Sequence, residues 1–134
     1  MGSQSDINQA ENETIKLVEY DHKVKSVNDF YWTTIGKTYF SLDFIDEDNN
    51  QRYAIVSQDG GDTKYYTPKD IISKEDAMSI TVNNVKPYKI MQSRLGIHEN
   101  QPVWEMTLLN ENDTISYYYL NATNGEWIQT IENI

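Results

Sequence analysis

Apolar residues along this chain follow two rhythms, and the alternation between them occurs twice. Ile7, Ala10, Thr14, Leu17 and Val18 recur at three- and four-residue spacing, which predicts an amphipathic helix over roughly residues 6–21. The period then drops to two, predicting strands at Lys25–Ile35, Thr38–Asp46 and Gln51–Gln58 and a short one at Thr63–Thr67. A second helix is signalled by Ser73 with Asp76 three residues on, a capping box, and by Ile72 placed to staple onto Ala77. Asn83-Asn84 and Pro87 predict its end, since proline lacks the amide donor and restricts the residue before it. Strands follow at Tyr88–Leu95, Val103–Asn110, Ile115–Asn121 and Glu126–Glu132. The breaks DEDNN, DGGD, NEND and TNG hold Asx side chains or glycine, which stabilise chain reversals.

Sliding the chain over itself by 64 residues superposes the two halves. Phe40 falls on Trp104, Leu42 on Met106, Phe44 on Leu108, Tyr53 on Tyr117, Val56 on Leu120 and Gly61 on Gly125. The expected fold class is therefore α+β, with two tandem units, residues 6–70 and 71–134, each one helix packed on an antiparallel β-meander. Units of this size bury little apolar surface alone, so the two are expected to pack together.

Composition narrows the function classes. A hydrophobic content of 38% with 12% aromatic residues suits a folded chain despite a net charge of −10. Only 11 Lys and Arg are present, which argues against nucleic acid and against adhesion to anionic lipid. The absence of cysteine excludes a disulfide framework, a thiol nucleophile and thiolate metal sites. No apolar run reaches the 18 residues of a membrane span, and the opening MGSQSD reads as a tag remnant ahead of a truncated chain.

Candidate chemistry is sparse. His22, at a helix end, and His98, in the loop GIHENQP, lack a second histidine at metal-ligand spacing. Asp46, Asp48 and Asn50 alternate as in a calcium loop, but Gln51 and Ser57 stand where that loop needs Gly and Glu, so a polar hairpin tip is the better reading. Among 21 acidic residues no carboxylate pair is distinctive, and the sequons at Asn12, Asn112 and Asn121 arise readily in an Asn-rich chain. No nucleophile elbow or phosphate-binding glycine loop occurs, so no enzyme, cofactor or metal is expected. Tyr117 and Tyr119 should share one strand face, with Tyr118 opposite beside Leu120. Trp104, Met106 and Leu108 should share a face of the neighbouring strand, as cross-strand core packing. Tyr65 and Tyr66, in the short link between copies, are less needed by a core and are the expected interaction surface.

The second half, ISKEDAMSI followed by VWEMTLLNENDTISYYYLNATNGEWI, resembles a PepSY domain. The matching residues are Trp104-Glu105-Met106, Tyr119-Leu120-Asn121-Ala122 and Gly125-Glu126, with Asn121 where Asp is usual and Asn112-Asp113 where the family's turn contains Gly. The whole chain, with FYWTTIGKTYFSLDFID in its first half, resembles the YpmB-like proteins of Gram-positive bacteria. These join an N-terminal domain of the cell-wall elongation regulator class (TseB-like) to a C-terminal PepSY domain, both cystatin-like in shape. The resemblance implies a single N-terminal membrane anchor, removed here, with the domain facing outward. It implies a non-enzymatic module whose protein partner is a penicillin-binding protein or related wall enzyme. PepSY domains also occur in propeptides of secreted metallopeptidases, which implies a peptidase modulator as the alternative. The inhibitory hairpin of true cystatins is not matched, because Gln101-Pro102-Val103 continues into Trp104 and Glu105.

Overall fold

The computed structural model describes residues 3–133, and the chain divides into two compact units, Met1–Lys69 and Asp70–Ile134. In the first, helix α1 (Gln4–Val18) begins at Ser3. The Ser3 hydroxyl accepts from the Asp6 amide at 3.2 Å and the Asp6 carboxylate accepts from the Ser3 amide at 3.3 Å, a reciprocal capping box. The segment read as a tag remnant thus supplies the cap, and the helix starts two residues before its expected position. It also stops at Val18 rather than at residue 21. The amides of Asp21 and His22 both turn back to the Val18 carbonyl at 2.9 Å, while the Glu19 carboxylate accepts from the Val24 amide at 3.2 Å and leads the chain into the first strand.

Strands β1 (Val24–Thr33), β2 (Tyr39–Asp46), β3 (Gln51–Ser57) and β4 (Lys64–Tyr66) form an antiparallel sheet in chain order. Alternation along β2 and β3 sends Leu42, Phe44, Ala54 and Val56 toward Val18 of α1, with Ile15, Val27, Phe30 and Tyr65 packed around them. Removing Phe44 and Leu42 wholly from water contributes about 1.5–3 kcal/mol each. Thr14, buried on the same helix face, satisfies its hydroxyl on the Ala10 carbonyl at 2.8 Å.

The second unit repeats the plan. Ser73 caps α2 (Lys74–Val85) by accepting from the Asp76 amide at 3.0 Å. Asn83 and Asn84, expected to stop the helix, lie within its last turn; Lys86, left-handed at φ 47°, and then Pro87 end it. Strands β5 (Lys89–His98), β6 (Gln101–Leu109), β7 (Ile115–Asn121) and β8 (Trp127–Asn133) again pair antiparallel in chain order. GIHENQP is not a loop. β5 runs to His98 and β6 starts at Gln101, joined by Glu99 and Asn100 at φ 49° and 68°. Two left-handed residues without glycine carry no strong sequence signal, and Pro102 argues against strand. Pro102 nonetheless pairs with Ile97, and its carbonyl accepts from the Ala122 amide at 2.9 Å.

Strand register duplicates the offset of 64. Phe40 faces Val56 as Trp104 faces Leu120; Leu42 faces Ala54 as Met106 faces Tyr118; Asp43 faces Tyr53 as Thr107 faces Tyr117. The turns match too. Asn49 and Asp113, 64 apart, are both left-handed, and each donates its amide at 3.1 Å to the residue three before it, Asp46 or Asn110. Trp104 is fully buried and donates Nε1–H to the Ile72 carbonyl at 3.0 Å. Tyr118 lies on the helix side with Met106, its hydroxyl accepting from Asn84 of α2 at 3.3 Å, while Tyr117 and Tyr119 face the other way. Among the described residues, no helix is long and apolar enough to cross a membrane.

Candidate functional site

Tyr65 and Tyr66 lie on the short strand expected at Thr63–Thr67 rather than in a free link. They belong to β4, the fourth strand of the first sheet, and successive strand positions place them on opposite faces. Tyr65 packs against the core, sets its ring edge-on to His22 at 4.8 Å, and donates its hydroxyl to Asp21 Oδ2 at 2.6 Å. Burial, reinforced by that carboxylate, pushes its phenol above the ordinary range. Tyr65 therefore ties the end of α1 to β4, and Tyr66 is half-buried opposite Tyr53. His98 ends β5 with Nε2 3.8 Å from the exposed Glu99 carboxylate. Among the described residues, no group of three or more His, Asp or Glu is placed to hold a metal ion.

The calcium-like run is a closed hairpin tip. Asp46 Oδ1 accepts from the amides of Asp48 and Asn50, both at 2.9 Å, and Oδ2 pairs with Arg52 Nε at 2.7 Å. The Arg52 bond and the Asn50 amide hold this carboxyl below the usual range. On the face of the second sheet away from α2, Glu105 accepts from the Tyr119 hydroxyl at 2.8 Å and lies 3.6 Å from Arg94. Burial and the Glu105 carboxylate push the Tyr119 phenol up. Each of these polar groups is spent on a neighbour in the sheet.

The second copy departs from the first at its β6–β7 hairpin. Where the first unit has the ion pair of Asp46 and Arg52, the second has Asn110 and Ser116 at the offset of 64. Asn110 Nδ2 donates to Thr114 Oγ1 at 3.1 Å and to Ser116 Oγ at 2.8 Å, and Ser116 in turn donates to Glu132 Oε2 at 2.9 Å. The Thr114 hydroxyl donates to Asn112 Oδ1 at 2.6 Å. These side chains, with Val85, Leu108, Tyr118 and Thr130, line a groove of about 290 Å³ between the end of α2 and strands β6–β8. The relay consumes both amide protons of Asn110 and the hydroxyl protons of Thr114 and Ser116; Asn112 Oδ1 also takes the Thr114 amide at 3.3 Å, so the acceptor with capacity to spare is the Glu132 carboxylate. The arrangement suits a cationic group with an apolar stem, the stem against Val85 and Leu108. Sequence reasoning missed this groove because Glu132 comes from a different strand; the legible signal was the loss of the Asp46–Arg52 pair in the second copy.

β8 bounds the groove and is the last strand of its sheet, with no strand among the described residues on its outer side. Trp127 and Ile131 are 57% and 46% exposed on it, and the Trp127 indole donates to Thr130 Oγ1 at 2.9 Å.

Two helix-plus-meander units in tandem, each with its own four-stranded antiparallel sheet, define a class of small α+β modules. Within it the fold is that of the YpmB protein from Bacillus subtilis, to which the chain is similar at a TM-score of 0.78 and 20% identity, over 90% of this chain and 96% of that one. No family model and no curated protein matches the sequence.

Proposed function

We propose that this chain is a non-enzymatic interaction module at the outer face of the cell membrane, regulating wall synthesis by binding a penicillin-binding protein or related wall enzyme. The observation that carries the reading is the likeness of the whole tandem fold to YpmB, joined to the sequence resemblance to that family. A membrane anchor ahead of the present start, as the resemblance implies, would hold the module beside such enzymes. The acidic surface, net −10, favours a basic partner face and speeds encounter. Pull-down with the purified chain from host membranes, read by mass spectrometry, tests this: a wall enzyme should be enriched over a bead control. Its absence counts against the reading, as does a cytosolic N-terminus in the full-length gene product.

One observation favours a second reading, a modulator of a secreted peptidase. β8 offers an open strand edge of the kind that adds to an extended segment of a protease or its substrate. Incubation with secreted peptidases of the host should change their activity at micromolar protein, and unchanged activity discards this alternative.

A further inference from the structure

Sheet edges attract stray strands, and proteins blunt them with bulges, short length, lysine or proline. Three of the four edges here are blunted. β1 breaks register between Val24 and Ser26 and again between Val27 and Asp29, and carries Lys25. β4 is three residues long and includes Lys64. β5 breaks register between Ile90 and Gln92 and carries Lys89 and Arg94. β8 differs. Its register break lies at its start, opposite Tyr119 and Leu120, after which Gln129–Asn133 pair without interruption to Ile115–Tyr119. It contains no Lys, Arg or Pro, and its Ile131 is exposed.

We infer that β8 is a strand-addition site for an extended segment of a partner protein bearing a Lys or Arg, with that cation seated in the Glu132 groove. This rests on the reading of the chain as a protein-interaction module and specifies its binding edge. A strand laid along β8 sets alternate side chains on the groove face, beside Thr130 and Glu132. A long cationic side chain there reaches the carboxylate on which the Asn110–Ser116–Glu132 relay ends, with its stem on Val85 and Leu108. Charge selects the occupant. Two copies of this chain, each at net −10, repel one another, whereas a basic segment is drawn in. The site also falls where the two copies of the repeat differ: Tyr65 and Tyr66 of the short β4 occupy the places of Thr130 and Ile131.

The test uses the full chain, isotope-labelled for NMR, and two blocked peptides, Thr-Val-Thr-Lys-Thr-Val-Thr and the same with Glu replacing Lys. The lysine peptide should shift amides of Gln129–Asn133 and Ser116, and bind about three- to tenfold more tightly than the glutamate peptide. Glu132→Lys should reverse that order, and Glu132→Gln should level it while keeping an acceptor for Ser116. N-methylation of the peptide's alternate amides in one of the two frames should abolish binding. Absence of shifts at millimolar peptide, shifts centred elsewhere, or an order of affinity indifferent to Glu132 overturns the inference. Sedimentation showing a dimer that Ile131→Arg dissociates also overturns it, assigning the edge to a second copy. Pull-down with wild type and Glu132→Lys separates this site from the broader function. Equal recovery of a wall enzyme defeats the site alone, and peptide binding without any wall enzyme defeats the function alone.

Discussion

Gly125 closes the turn between β7 and β8 at φ +78°, and its replacement by alanine tests how the second unit is held together. Two costs arise. A side chain at left-handed φ costs about 1–2 kcal/mol. The new Cβ would also stand 2.7 Å from Ile80 Cδ1 of α2, inside any real contact, with Ile72 Cδ1 at an ordinary 3.5 Å. Displacing the end of Ile80 adds about 1–3 kcal/mol, so Gly125→Ala should destabilise by about 2–5 kcal/mol in all. Ile80→Val removes the offending methyl and leaves the backbone term. In that background Gly125→Ala should cost only about 1–2 kcal/mol. Gly36→Ala, at φ +71° with open space around it, should likewise show the conformational cost alone. Urea denaturation of the four members of the cycle, followed by Trp fluorescence and by amide exchange in α2, reads these values. Equal costs of Gly125→Ala in both backgrounds, within about 0.5 kcal/mol, would refute the claim that α2 packs directly over this turn.

Trp104→Phe, which installs the residue found 64 positions earlier, keeps the ring in the core but orphans the Ile72 carbonyl. It should cost about 1–3 kcal/mol by denaturant melt. Asp46 has a folded pKa below its unfolded one, so its stabilisation is complete above the unfolded value and is lost as pH falls through the folded one. Asp46→Asn should therefore flatten the acid limb of a stability–pH profile below about pH 4, and an unchanged limb would contradict the turn described here. Tyr65 has a raised pKa, so its contribution is complete below the unfolded phenol value and is lost as pH rises above about 10. In a phenolate absorbance titration, Tyr65→Phe should delete a late-ionising component and should cost about 0.5–1.5 kcal/mol near neutrality.

Periodicity and the offset of 64 made the architecture legible because register is a local property. A pleated strand with Leu42 inward has Phe44 inward, and the same spacing recurs at Met106 and Leu108. The hairpin at Glu99-Asn100 was not legible, since its positive φ values rest on Glu and Asn and its second strand opens with a proline. Tyr65 and Tyr66 read as surplus to a core because β4 is only three residues long, too short to show alternation. Once paired to β3, Tyr65 is part of that core. The groove was the hardest feature to read. Asn110 and Ser116 are ordinary hairpin residues until β8 brings Glu132 beside them, and no spacing rule connects positions 16 residues apart across two strands.

If this module meets a wall enzyme through the β8 edge, as proposed, contact should be confined to that edge. A photoactivatable benzophenone placed at Ile131, and at the 87% exposed Tyr20 as a control, tests it most directly in host membranes. A penicillin-binding protein or related wall enzyme should crosslink from position 131, lose that crosslink on Glu132→Lys, and fail to crosslink from position 20. A wall enzyme captured equally from both positions, or from neither, would contradict that proposal.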